Sequence, residues 1–137
     1  MTRLARSFSL AFSAGVVGAL ANSLASWASG AYGISHTLGV QIAPDFTLAW
    51  LYPRLVWGGL WGLLFTLPLA RPRGLALGLL LGLAPAAYQL FVVFPQRGSG
   101  IGGLELGALT PLLVLAFSSL WGIVAALWLR LAGGGAA

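Results

Sequence analysis

Residues Leu75 to Phe94 read LALGLLLGLAPAAYQLFVVF, twenty positions without a charged side chain. At about 1.5 Å of rise per helical residue this run spans about 30 Å, the thickness of a bilayer's hydrocarbon core. Lipid offers a backbone no water to bond with, so a segment of this kind is read as a transmembrane α-helix. Gly74, Gly78 and Gly82 recur at spacings of four. Such a strip lets another helix approach to backbone contact, the main way apolar helices recognise each other in lipid. Pro85 is expected to kink the span.

Reading outward, the run is preceded by Pro68 and the sequence RPRG, Arg71 to Gly74, which is short enough to be only a tight hairpin after a second span at about 46–69. It is followed by the glycine-rich loop PQRGSGIGG, Pro95 to Gly103, and by a further span at about 106–129 that Arg130 and a GGGAA tail close. A span at about 8–30 opens the chain behind Arg3 and Arg6, and Ala31 to Asp45 connects it to the next. The basic start and the small residues Ala25 to Ser29 also fit a cleaved signal peptide. The length of the stretch and the spacing of Gly15, Gly18 and Ala21 favour a retained, packed helix. The expectation is an all-α membrane protein with four transmembrane helices arranged as two hairpins, all within one domain covering residues 1–137.

Composition agrees. The chain has 137 residues, 59% hydrophobic and 7% charged, with mean hydropathy +0.96; this lies outside the range of soluble domains, and four crossings leave no room for one. A net charge of +5 comes from seven arginines scattered singly or in pairs. That pattern orients a membrane protein and lacks the basic stripe a nucleic-acid binder needs, so no nucleic-acid partner is expected. With no cysteine, one histidine and two acidic residues, disulfides, thiolate chemistry and ordinary metal sites are not expected, and no cofactor is implied. Arginine without any lysine points to a GC-rich genome, hence a bacterial inner membrane. Arg3, Arg6, Arg71, Arg73 and Arg130 fall on one side and Arg97 on the other, which places both termini in the cytoplasm.

Shifted by about 60 residues, the second span shows some likeness to the fourth: Asp45 meets Glu105, Leu55 meets Leu115, Trp57 meets Phe117, and Leu60, Trp61 and Gly62 meet Leu120, Trp121 and Gly122. A parallel repeat about an axis along the membrane normal would produce this. Biased composition and a shared need for a capping acid, Trp and Gly account for the match better than a true repeat does.

Few residues offer chemistry. Asp45 and Glu105 stand before apolar runs and are expected to cap helix N-termini. Trp27, Trp50 and Trp128 fall near span ends, where indole rings prefer to lie, while Trp57, Trp61 and Trp121 fall deeper and are expected to pack between helices. Arg54 lies inside the second span, roughly 12 Å deep at the helical rise, where a charge needs a partner or water. Asn22 and Gln89 reach a similar level from the first and third spans, so a polar layer of Arg54, Asn22, Gln89 and either Glu105 or Asp45 is the one candidate binding site. The plainer alternative has Arg54 reaching outward to headgroups while Asn22 and Gln89 tie helices together. His36 reads as a solvated loop residue, and no nucleophile elbow occurs near it.

These features favour a non-enzymatic accessory subunit that binds other membrane helices, its own copies or another protein's, through Gly74, Gly78, Gly82, Gly58, Gly62 and Gly122. The competing reading is a small oligomeric channel or transporter taking an anion or small polar solute at the layer around Arg54. An intramembrane enzyme would need paired catalytic groups at depth, and only Arg54 with a carboxylate qualifies even loosely.

Overall fold

The Thr2 hydroxyl accepts the amide of Ala5 and opens a 29-residue helix, α1 (Arg3–Ala31), in the computed structural model, which describes residues 2–67 and 74–133. The buried positions of α1 are Ala11, Ala14, Gly15, Gly18, Ala19, Ser23, Ser26 and Ser29, all small. A helix with so little bulk on its inner face admits neighbours to backbone distance, and α1 becomes the centre of the fold. A one-turn helix, α2 (Ile34–Thr37), follows, held by a 2.7 Å hydroxyl pair between Ser29 and Ser35. The chain then runs extended to Thr47.

Thr47, not Asp45, caps α3 (Leu48–Gly62), accepting the amide of Trp50 at 3.1 Å. Asp45 lies two residues too early and stays exposed in the extended segment. α3 has 15 residues and continues as a 3₁₀ turn, Leu63–Thr66. Pro68, Arg71, Pro72 and Arg73, where a tight hairpin was expected, lie outside the described residues. Gly74 enters α4 (Leu75–Tyr88) with φ of 63°. Pro85 sits within α4, and the ladder widens just beyond it into a π-helical turn, Gln89–Val93, before α5 (Phe94–Gln96). A proline lacks the amide its preceding turn requires, and a widened turn is one way a helix absorbs that defect. A 3₁₀ segment, Ile101–Leu106, precedes α6 (Thr110–Gly133). Glu105 lies in that segment, exposed, so it does not cap the last helix, which starts four residues later than the sequence pattern indicated.

Three helical stretches are long and apolar enough to cross a membrane: Arg3–Ala31, Leu75–Gln96 and Thr110–Ala132. The protein is therefore helical and suited to a membrane. Packing follows the order α3, α1, α6, α4. Gly15 of α1 faces Gly58 and Gly62 of α3, so close that a Cβ on Gly15 would stand 2.8 Å from the Cα of Gly62. Gly78 of α4 meets the backbone of Gly122 in α6, and a Cβ on Gly82 would lie 2.7 Å from the Ser118 carbonyl. Between these pairs, Trp121 is buried and donates its indole N–H to the Gly15 carbonyl at 3.0 Å, joining α6 to α1. No comparable packing joins α3 to α4 among the described residues. Positions paired by the 60-residue shift have unlike surroundings: Trp61 is half-buried at the α3 edge, whereas Trp121 is buried against α1.

Candidate functional site

The unpacked side between α3 and α4 is a cleft of about 840 Å³. The same small residues that draw α1 onto α3 and α6 hold the outer helices apart, and the aromatic rings on them reach across. Tyr88 of α4 lies 6.5 Å from the ring of Trp57 and 5.7 Å from that of Trp61. Trp57 and Trp61 therefore meet α4 through Tyr88 and also line this opening, and Trp57 is 55% exposed. One end of the cleft is closed by the extended segment after α2, which contributes Gln41, Ile42, Ala43 and Pro44 to its wall. That strap is anchored where the Gln41 amide meets the Leu106 carbonyl at 2.8 Å. Gly107, at φ of 149°, lies against the Gly39 carbonyl with no room for a side chain.

Arg54 occupies the wall of this cleft. It is about 9 Å along α3 from Leu48 at the helical rise, and its neighbours fix it on three sides. Nε donates to the Ser23 hydroxyl at 2.9 Å, and Nη2 donates to Asn22 Oδ1 at 2.9 Å. Asn22 Oδ1 also accepts from the Ser26 hydroxyl at 3.2 Å. The guanidinium carbon stands 4.8 Å from the centre of the Trp50 ring, an approach within cation–π range. Trp50 is itself placed by Phe46, whose ring is 5.8 Å away and which leads on to Trp27 at 5.9 Å. The partners of the charge are thus neutral.

Of the residues singled out in the sequence, Arg54, Asn22 and Gln89 do line one cleft. Asp45 and Glu105 are exposed and line no part of it, and the hydrogen bonds of Arg54 run to Ser23 and Asn22 instead of a carboxylate. The sequence pattern missed Ser23, which is fully buried, sits one residue from Asn22 on α1 and accepts from Arg54 Nε. It also missed that Arg97, at the end of α5, lines the same cleft. Two arginines and no carboxylate thus share one cavity wall. The cleft deepens only to the level of Trp61 and Trp121; beyond it the Gly15–Gly62 and Gly78–Gly122 contacts bring the helices together. Gly58, Gly62, Gly78, Gly82 and Gly122 all lie in contacts within the chain, and Gly74 lies at the start of α4 near the Arg130 guanidinium. His36 is exposed, and its neighbour Ser35 is engaged with Ser29.

The chain matches no family model, and no curated protein or solved structure is significantly similar to it.

Proposed function

We propose that this is a four-crossing membrane protein that holds an anion, or the anionic group of a larger molecule, at Arg54 in a cleft open between α3 and α4. The observation that carries the reading is the surroundings of Arg54: a charge within α3, hydrogen-bonded to neutral groups, in a cleft whose described lining also holds Arg97 and no carboxylate. An unneutralised charge in a low-dielectric setting is costly, and two like charges facing one cavity add repulsion that an anion between them converts to attraction. The guanidinium still has N–H donors on Nη1 and Nη2 beyond the bonds to Ser23 and Asn22, and those bonds together with Trp50 already hold it in place.

The fourth crossing is α3 with its 3₁₀ extension. Fifteen α residues and four 3₁₀ residues give about 30 Å, enough to span the hydrocarbon core. The excess of arginine at the end holding Arg3, Arg6 and Arg130 puts both termini in the cytoplasm and the cleft toward the outer leaflet of a bacterial inner membrane. The cleft does not extend past Trp121, which supports holding or handing over a ligand more than conducting it. Gly58, Gly62, Gly78, Gly82 and Gly122 meet neighbours inside the chain, which supports the ligand reading over one in which those glycines bind another protein's helices.

The test is thermal denaturation of the purified protein with phosphate-bearing ligands of two kinds, glycerol phosphate and phosphatidylglycerol. At least one is expected to stabilise the parent and to have no effect on Arg54→Gln. If neither stabilises the parent, or both stabilise Arg54→Gln equally well, the reading fails.

A further inference from the structure

A second, apolar groove of about 310 Å³ lies along α3 and its 3₁₀ extension, lined by Trp57, Leu60, Trp61, Leu63 and Leu64. Trp57 and Trp61 also line the Arg54 cleft, so the groove adjoins it: the charge lies on one side of these two rings and an apolar surface on the other. From Arg54 to Leu64 the axis advances about 15 Å at the helical rise, away from the strap, past the middle of the span and toward its other end, Thr66. A membrane lipid carries charge and chain in this same order, an anionic group at one end and an apolar chain leading away from it.

Resting on the reading above, we infer that the ligand is an anionic phospholipid, received sideways between α3 and α4 with its phosphate on Arg54 and one chain along the groove. A guanidinium held against an indole and bonded through Nε and Nη2 has its remaining N–H donors for phosphate oxygens. Arg97 supplies a second positive charge at the rim, and the nearby amides of Gln41 and Gln96 suit a hydroxylated headgroup. A zwitterionic lipid would bring its ammonium toward two arginines where no carboxylate receives it. Tyr88 meets Trp57 and Trp61 across the opening, so the lipid chain passes over the exposed outer side of Trp57 and along Leu60.

The experiment is native mass spectrometry of the full chain in detergent with phosphatidylglycerol, phosphatidylcholine and glycerol phosphate, paired with quenching of tryptophan fluorescence by chain-brominated phosphatidylglycerol. Phosphatidylglycerol is expected to bind at least about tenfold more tightly than the other two, and Arg54→Gln to remove that preference, the scale of one lost charged hydrogen bond. Quenching should fall when Trp57 and Trp61 are replaced by Phe, and should fall likewise in Arg54→Gln. Should Arg54→Gln not fold, Arg97→Gln, a change at an exposed rim position, is expected to weaken the preference in the same direction, and an unchanged preference there overturns the inference. Equal binding of glycerol phosphate would show a site for a soluble anion, which overturns the lipid inference and leaves the anion reading standing. Equal binding of phosphatidylcholine, unaffected by Arg54→Gln, would mean ordinary boundary lipid and also overturns it. Binding of none of the three removes both.

Discussion

The guanidinium of Arg54 and the hydroxyl of Ser23 depend on each other in a way that a stability measurement can separate. Ser23 is fully buried, and Nε of Arg54 is its partner across the α1–α3 contact. Removing the acceptor leaves a charge less satisfied, so Ser23→Ala is expected to cost about 1–2 kcal/mol of unfolding free energy. In an Arg54→Leu background the same change removes nothing that bears a charge and is expected to cost under about 0.5 kcal/mol. Unfolding of the four proteins in a double-mutant cycle measures the difference; a coupling indistinguishable from zero would mean that the bond contributes little. The sequence made Arg54 visible, because a lone charge in an apolar run stands out, and it placed Asn22 at the right depth. It did not show which residue would answer the charge. That depends on the rotation of α1 about its axis, which is set by the small residues facing α3 and not by any local property of Ser23. Asp45 and Glu105 read as partners because opposite charges attract in isolation; the helices begin beyond them, at Thr47 and Thr110, and leave both exposed.

At the scale of the helices, glycine and its close approaches decide the order of packing. Gly78 and Gly122 meet backbone to backbone, as do Gly15 and Gly62, so an added methyl has nothing soft to displace. Gly78→Ala and Gly62→Ala are each expected to destabilise the protein by about 2 kcal/mol or more. Gly59 makes a useful contrast. Its added Cβ would meet the ring of Phe12, a side chain partly exposed and able to swing outward. Gly59→Ala is therefore expected to cost less than about 1 kcal/mol, and thermal unfolding of the three variants side by side checks the ranking. The glycine strip at Gly78 and Gly82 was legible in the sequence, as was its chemistry of helix association. Its target was not, since a strip of small residues suits a helix in the same chain as well as one in another protein. Pro85 was legible as a disturbance, but the π-helical turn that follows it, and that turns Gln89 and Val93 toward the cleft, was not.

On the scale of the whole molecule, small inner residues on α1 and large aromatic residues on α3 and α4 produce a bundle closed on three sides and open on the fourth. Three long apolar helices were expected and are present; the remaining expected span is shorter in α-helix than its apolar run, because Gly62 hands over to a 3₁₀ turn. The chain contains no cysteine, so single cysteines report position without background. Thr2→Cys and His36→Cys, both at exposed positions near opposite ends of α1, are expected to react oppositely with an impermeant maleimide added outside spheroplasts: Cys at 36 labelled, Cys at 2 labelled only after lysis. Labelling of both without lysis, or the reverse order, would overturn the proposed orientation and with it the placement of the cleft in the outer leaflet.

The central claim is that Arg54 is kept for a ligand and not for the fold. Its most direct test is the thermal stability of Arg54→Leu beside the parent, each measured with and without phosphatidylglycerol. An apolar side chain in place of a poorly neutralised charge removes desolvation cost and repulsion from Arg97 along with two hydrogen bonds. The account predicts a variant folded and at least as stable as the ligand-free parent, with no response to the lipid, while the parent rises on its addition. A variant that unfolds, or one that still gains as much stability from the lipid as the parent does, would contradict it.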